Sequence, residues 1–224
     1  MKSYLNAIRA VIWKDLTAEW RTRENLSAML VFALLVILIF NFALELDIQA
    51  QESLSAGVLW TTFIFAGTIG LNRSLAVEKD RGCLDGLLLA PVDRSVIYFG
   101  KALSNLVFMV LVEIIVLPIY SFLYQVPVFN PGFLMVVLLG SIGYVAVGTL
   151  LATMVVQVRT RDILLPILLF PLTLPVVIAA VKASHGFLQM IPLGEITPWI
   201  NLLIVYDLIF TAIAFMVFDF VVEE

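Results

Sequence analysis

Few side chains in this sequence can do chemistry, and those that can fall into three places. A carboxylate, Glu113, stands between Val112 and Ile114 in the middle of an apolar run. The single histidine, His185, precedes Met190 in a more polar stretch. A third segment reads Arg73-Ser-Leu-Ala-Val-Glu78-Lys79-Asp80-Arg81-Gly82-Cys83-Leu84-Asp85-Gly86-Leu87-Leu88-Leu89-Ala90-Pro91-Val92-Asp93-Arg94, and a Gly100-Lys101 pair follows it. A carboxylate at bilayer depth costs at least about 2.5 kcal/mol, so Glu113 must face protein or water, or carry a proton. A hydrogen bond across a helix or dimer interface and a place on a substrate path both fit it.

Several chemistries are excluded outright. Gly100-Lys101 has no glycine five positions upstream of Gly100 and is followed by Ala102, so it is not a phosphate-binding loop. There is no H-E-x-x-H, no G-x-S-x-G and no cysteine cluster; Cys83 is alone, so no intramolecular disulfide can form. No second catalytic group pairs recognisably with Glu113. The chain is expected not to be an enzyme.

The elements that must hold these residues are set by composition. Hydrophobic residues make up 62% of the chain and charged residues 13%, and the mean hydropathy is +1.07. A soluble chain carries about 25% charged residues, and a small domain leaves much of its surface in contact with solvent. For most of these residues the solvent must be lipid. Runs near 27–44, 54–72, 103–124, 131–156, 163–181 and 199–222 are long enough to cross, since about 20 apolar residues span roughly 30 Å of hydrocarbon. The expectation is an all-α, polytopic protein with six transmembrane helices, a single membrane domain over residues 1–224 with no linker. Polar and amphipathic residues precede the first run, which is also longer than the apolar core of a signal peptide.

Twelve of the 13 basic residues fall before the first run, between the second and third, or between the fourth and fifth; only Lys182 does not. The positive-inside rule makes that side cytoplasmic and places both termini there. Ahead of the first run, Leu5, Ile8, Ile12, Leu16 and Trp20 recur at spacings of three and four, with Arg9, Lys14, Glu19 and Arg23 on the other face. This predicts an N-terminal amphipathic helix lying in the cytoplasmic interface, with Trp13 and Trp20 at headgroup depth. It serves as an anchor or as a lever on a partner.

Between the second and third runs, a charged helix end should break at Gly82, where glycine tolerates unusual backbone. A short helix from Leu84 to Leu89 should then stop ahead of Pro91. It is too short to span. It offers Leu87 and Leu88 to a pocket and Asp85 to a basic partner, although an ordinary re-entry loop has the same composition.

Small residues at Ala66/Gly70 and Gly148/Ala152 allow close helix packing. Pro166, Pro171 and Pro175 tend to kink the fifth run. Asp207 and Asp219 are placed nearer the ends of the last run, within easier reach of water.

The order E-x-D-x-G-x-L-[DE]-x-L-L-L-x-P, with Gly-Lys at the next span, resembles the coupling segment of ABC-2-type exporter permeases. Within them the chain resembles the haem exporter protein B (CcmB) family, as do its length, N-terminal helix and the P-L-T-L-P run at Pro171–Pro175. Cys83 departs from the pattern, since many exporters have a small hydroxyl residue there. The resemblance implies that Glu78, Asp80, Gly82, Leu84, Asp85, Leu87, Leu88 and Pro91 dock a separate ABC ATPase (CcmA-like). It also implies a homodimer, six spans being half of a twelve-span exporter.

Further partners implied are a WWD haem-handling membrane protein (CcmC-like) and a periplasmic haem chaperone (CcmE-like), in the bacterial inner membrane, with no nucleic acid. The function implied is haem delivery for c-type cytochrome maturation, with haem as substrate rather than a resident cofactor. His185 and Met190 are of the types that ligate haem iron, but a lone loop histidine is more often solvated, and the chain lacks the tryptophan-rich segment itself. An ABC-2 exporter of a drug, lipid or glycan is the nearest alternative; a non-transporting assembly scaffold is one of another class. Normal ATPase turnover and intact cytochrome production after Glu113 substitution would favour the scaffold.

Overall fold

The computed structural model describes residues 2–44, 48–80, 82, 86 and 93–221. Their long elements are all helices: α1 (Lys2–Thr22), α2 (Glu24–Leu44), α3 (Ile48–Asp80), α4 (Arg94–Tyr124), α5 (Pro131–Val155), α6 (Arg161–Leu188) and α7 (Leu193–Val221). Six of them, α2 to α7, are long and apolar enough to cross a membrane. Inside lipid a helix satisfies every backbone group within its own segment, which is why the apolar runs read so directly. The protein is a multi-pass membrane protein. Of the predicted short helix around Leu84–Leu89, Gly86 alone is among the described residues.

The spans alternate in direction, so one end of the bundle gathers α1, the starts of α2, α4 and α6, and the ends of α3, α5 and α7. This is the basic end. Helix α3 has 33 residues, about 50 Å at 1.5 Å per residue, so it overshoots the hydrocarbon and carries Glu78 and Asp80 beyond it. Gly82 follows at φ 67°, in the region glycine enters without penalty. Arg23 separates α1 from α2 with a left-handed backbone of its own, φ 55°.

Helix α5 is the hub, packing on α3, α4, α6 and α7. Its small residues explain this. Leu71 of α3 sits against Gly148, and the Trp60 ring of α3 sits against Gly140. Across the bundle, Gly70 of α3 faces Met29 of α2, where an added Cβ would lie 2.6 Å from the sulfur. Helix α6 stays helical through Pro166, Pro171 and Pro175. Asn130 caps α5 by accepting from the Gly132 amide at 2.9 Å, with Pro131 in the first helical position.

Two corrections concern helix ends and one a helix face. His185 does not lie in a loop: α6 continues to Leu188, because Ala179-Ala180-Val181-Lys182-Ala183 favours helix after the apolar run has ended. Asp207 lies midway along α7, which starts at Leu193 and not near 199. On α1 the buried face is Ile8, Val11, Asp15 and Glu19, while Leu5, Trp13 and Trp20 are exposed. Two acids have displaced apolar residues from the inner face, for the reason given next.

Candidate functional site

Lys101, about two turns into α4, is 2% exposed, and a buried ammonium must be paired. Its Nζ donates to both Asp15 oxygens of α1, at 2.9 and 3.1 Å, and lies 2.7 Å from Glu78 Oε1 of α3. Lys14 of α1 also bonds to Glu78 Oε1 and lies 3.3 Å from Asp15. Burial works against the Lys14 charge. Its hydrogen bond to Glu78 and the nearby Asp15 carboxylate outweigh that and raise its pKa above the usual lysine value. Two cations and two anions thus close a neutral cluster across three helices.

The residue before the lysine completes the joint. A Cβ on Gly100 would lie 2.7 Å from Val11 Cβ, so α1 rests on the glycine backbone itself. Close approach and charge pairing come from adjacent positions. Tyr4 and Ser95 hydroxyls add a 3.0 Å bond between α1 and α4. Glu19 turns inward to accept from the Leu26 amide at 2.8 Å, satisfying one of the unpaired donors at the start of α2. These pairings are why Asp15 and Glu19 lie on the buried face of α1.

Asp80 stands at the rim. Arg161, the first residue of α6, grips it at 2.9 and 3.2 Å, and the Asp162 carboxylate accepts from Asn72 at 2.9 Å. Segment 81–93 therefore leaves from a helix end braced to α6 and returns to a helix braced to α1. Of the residues assigned to partner docking, Glu78, Asp80 and Gly82 are described and adjoin this joint. Leu84, Asp85, Leu87, Leu88 and Pro91 lie outside the described residues.

Glu113 is far from this joint, buried on α4, where Ser141 of α5 donates to its Oε1. His185 is half-buried and its Nδ1 has no hydrogen-bond partner; Met190, past the helix end, is exposed. Among the described residues no group of three or more His, Cys, Asp or Glu could hold a metal.

One participant escaped the sequence reading. Asp15 was indistinguishable from any charged residue of a solvated face; its signal was the one-turn offset from Val11, which faces Gly100. Away from the joint, Asp207 is 8% exposed, with both carboxylate oxygens unpartnered and Oδ1 packed against Gly143 of α5. A buried polar atom without a partner costs about 1–3 kcal/mol. Asp207→Ala, which removes both oxygens, is therefore expected to raise thermal stability in detergent by about 1 kcal/mol, read as a higher unfolding midpoint. An unchanged or lower midpoint would mean that the carboxylate is satisfied by something outside this chain.

Comparison with known proteins now adds to this geometry. A sequence model of the family described as "CcmB protein" matches residues 6–221. The chain is 27% identical to "Heme exporter protein B" of Rhodobacter capsulatus, over 84% of this chain and 88% of that protein. It is 24% identical to the protein of the same name from Pseudomonas aeruginosa, over 93% and 94%. The Bradyrhizobium diazoefficiens protein of that name is also 24% identical, over 81% and 82%.

Proposed function

Because the chain belongs to the CcmB family, we propose that it is the permease subunit of an ABC exporter serving haem delivery in c-type cytochrome maturation. The observation that carries this is a similarity running nearly end to end with relatives named as haem exporters. The bundle would lie in the bacterial inner membrane with its basic end in the cytoplasm, as the positive-inside rule requires. Two copies would pair, each engaging one ATPase subunit.

The geometry supports a route for the ATPase's work. Segment 81–93 connects α3 to α4, and the ion cluster binds both helices to α1. A push on that segment would move three helices together. Leu87, Leu88 and Asp85 would meet the ATPase, while Glu78, held inward by Lys101 and Lys14, would carry the motion inward. On the outer side, a WWD haem-handling protein and a haem chaperone would receive the product of the cycle.

The test is purification of the tagged protein from its own membranes in mild detergent, with mass spectrometry of what accompanies it. An ABC ATPase together with a WWD protein is expected. An ATPase alone would point to a general exporter, and no ATPase at all would remove the coupling assignment. Leu88→Asp and Asp85→Arg should each abolish ATPase recovery while leaving membrane insertion intact.

A further inference from the structure

Lys101, Asn105, Met109 and Glu113 recur every four residues along α4 and so share one face of the helix. All four are buried. Asn105 donates to the Thr149 hydroxyl of α5 at 3.1 Å, but its Oδ1 has no partner. Asn25 of α2 reaches the Gly70 carbonyl at 3.5 Å, and its Oδ1 is likewise unpartnered. Glu78 Oε2, inside the ion cluster, is a third such oxygen. Buried polar groups are nearly always paired, through ordered water if not through protein.

Two cavities are lined by the residues that carry these oxygens. The outer opens at the basic end between α1, α2, α3 and α4, and has a volume of about 80 Å³. Its wall includes Asp15, Asn25, Glu78, Lys101 and Phe108. The inner, between α2, α3, α4 and α5, is lined by Asn25, Asn105, Phe108 and Met109, with about 10 Å³, enough for about one water. Asn25 and Phe108 are walls of both. Met109, the deepest wall on α4, is one helical turn from Glu113.

We propose that these cavities form a water path from the basic end to Glu113, and that Glu113 is a proton-binding site served from that end alone. The step is a proton transfer only: a water-borne proton adds to the Glu113 carboxylate and leaves by the same path. The charged groups at the mouth are Asp15, Glu19, Glu24, Arg73, Glu78 and Lys101. At the depth of Glu113 its side-chain partner is the Ser141 hydroxyl of α5, while the Tyr144 hydroxyl, one turn along α5, is engaged with Thr68 and the Ile64 carbonyl of α3. Between residues 25 and 44 of α2, and between 53 and 72 of α3, there is no charged residue. Asp207 approaches the other side of α5, at Gly143. The waters are thus the means of bringing a proton to Glu113.

The experiment uses inside-out and right-side-out membrane vesicles of the full chain in a Cys83→Ser background. Asn105→Cys and Met109→Cys are each exposed to silver ion, a thiol-reactive cation about the size of a water molecule, with the fully buried Leu169→Cys of α6 as reference. Both should react at least about tenfold faster than the reference in inside-out vesicles, and no faster than it from the other side, because only a hydrated cavity admits the reagent. If Asn105→Cys fails to accumulate, Met109→Cys decides. In parallel, a hydrophobic carbodiimide, which attacks protonated carboxyl groups, should label Glu113, and Glu113→Gln should abolish that label. The rate should fall as pH on the basic side is raised, and ignore pH on the other side. Thiol reactivity equal to the reference, or carbodiimide labelling indifferent to pH on the basic side, would overturn the proposal.

Discussion

Replacing Lys101 with methionine is expected to lower the stability of the purified protein by about 3–5 kcal/mol, the loss typical when one partner of a buried ion pair is removed. The cause is what stays behind. Asp15 and Glu78 are mostly withdrawn from solvent, with side chains 6% and 12% exposed, and both would keep their charge with one ammonium fewer. Lys14 cannot replace Lys101, because its side chain is 43% exposed and reaches the cluster from the rim.

The variant should unfold at a markedly lower temperature in detergent, and a protease should cut near Arg21 or Arg23 before the bundle opens, as α1 leaves its seat on Gly100. The triple variant Lys101→Met, Asp15→Asn, Glu78→Gln should recover most of the loss, since a buried pair can be exchanged for neutral groups at little cost. Lys101→Met behaving like the parent, or a triple variant weaker than the single one, would show that the cluster does not hold α1. ATPase stimulation should follow the same order if α1 moves with segment 81–93.

The spans were legible because hydrocarbon leaves a helix no alternative way to satisfy its backbone. The break at Gly82 was legible for a similar reason, as few other residues enter that conformation freely. Helix ends were harder. Hydropathy marks where a chain leaves lipid, but not where its helix stops, so α6 ran on to include His185 and α7 began early enough to centre Asp207. The candidate site was half legible. Gly100-Lys101 stood out as a pair, yet nothing local disclosed that the glycine receives Val11 and the lysine Asp15, since those partners lie 86 residues or more away. On α1 the apolar spacing pointed to one face and the ion pairs selected another. A charge four residues from an apolar neighbour reads as solvated unless the opposite charge beneath it is known.

Gly140→Ala offers a second large effect, and one whose sign runs against local preference. In a helix interior, glycine to alanine ordinarily stabilises by about 1 kcal/mol. Here the added methyl carbon would sit 2.8 Å from Cζ3 of Trp60 and closer still to its Cη2. The indole cannot step aside readily. Its Nε1 donates to Ser184 Oγ of α6 at 2.9 Å, Phe63 meets it edge-on with ring centroids 5.9 Å apart, and it is 1% exposed. Relief must come from moving α3 away from α5, or from breaking the bond to α6. Overpacking of this kind costs about 1–3 kcal/mol, occasionally more, and the bond to Ser184 adds about 1 kcal/mol if it is lost.

Gly140→Ala is therefore expected to lower stability by about 3 kcal/mol, measured as thermal unfolding in detergent. The strain should also reach Ser141, the next residue, and slacken its hold on Glu113. Shrinking the ring distinguishes this account from general helix disruption. Trp60→Phe combined with Gly140→Ala should be more stable than Gly140→Ala alone, although Trp60→Phe by itself loses the Ser184 bond. A Gly140→Ala protein as stable as the parent would show that α3 and α5 separate easily, and that the hub is looser than its packing implies.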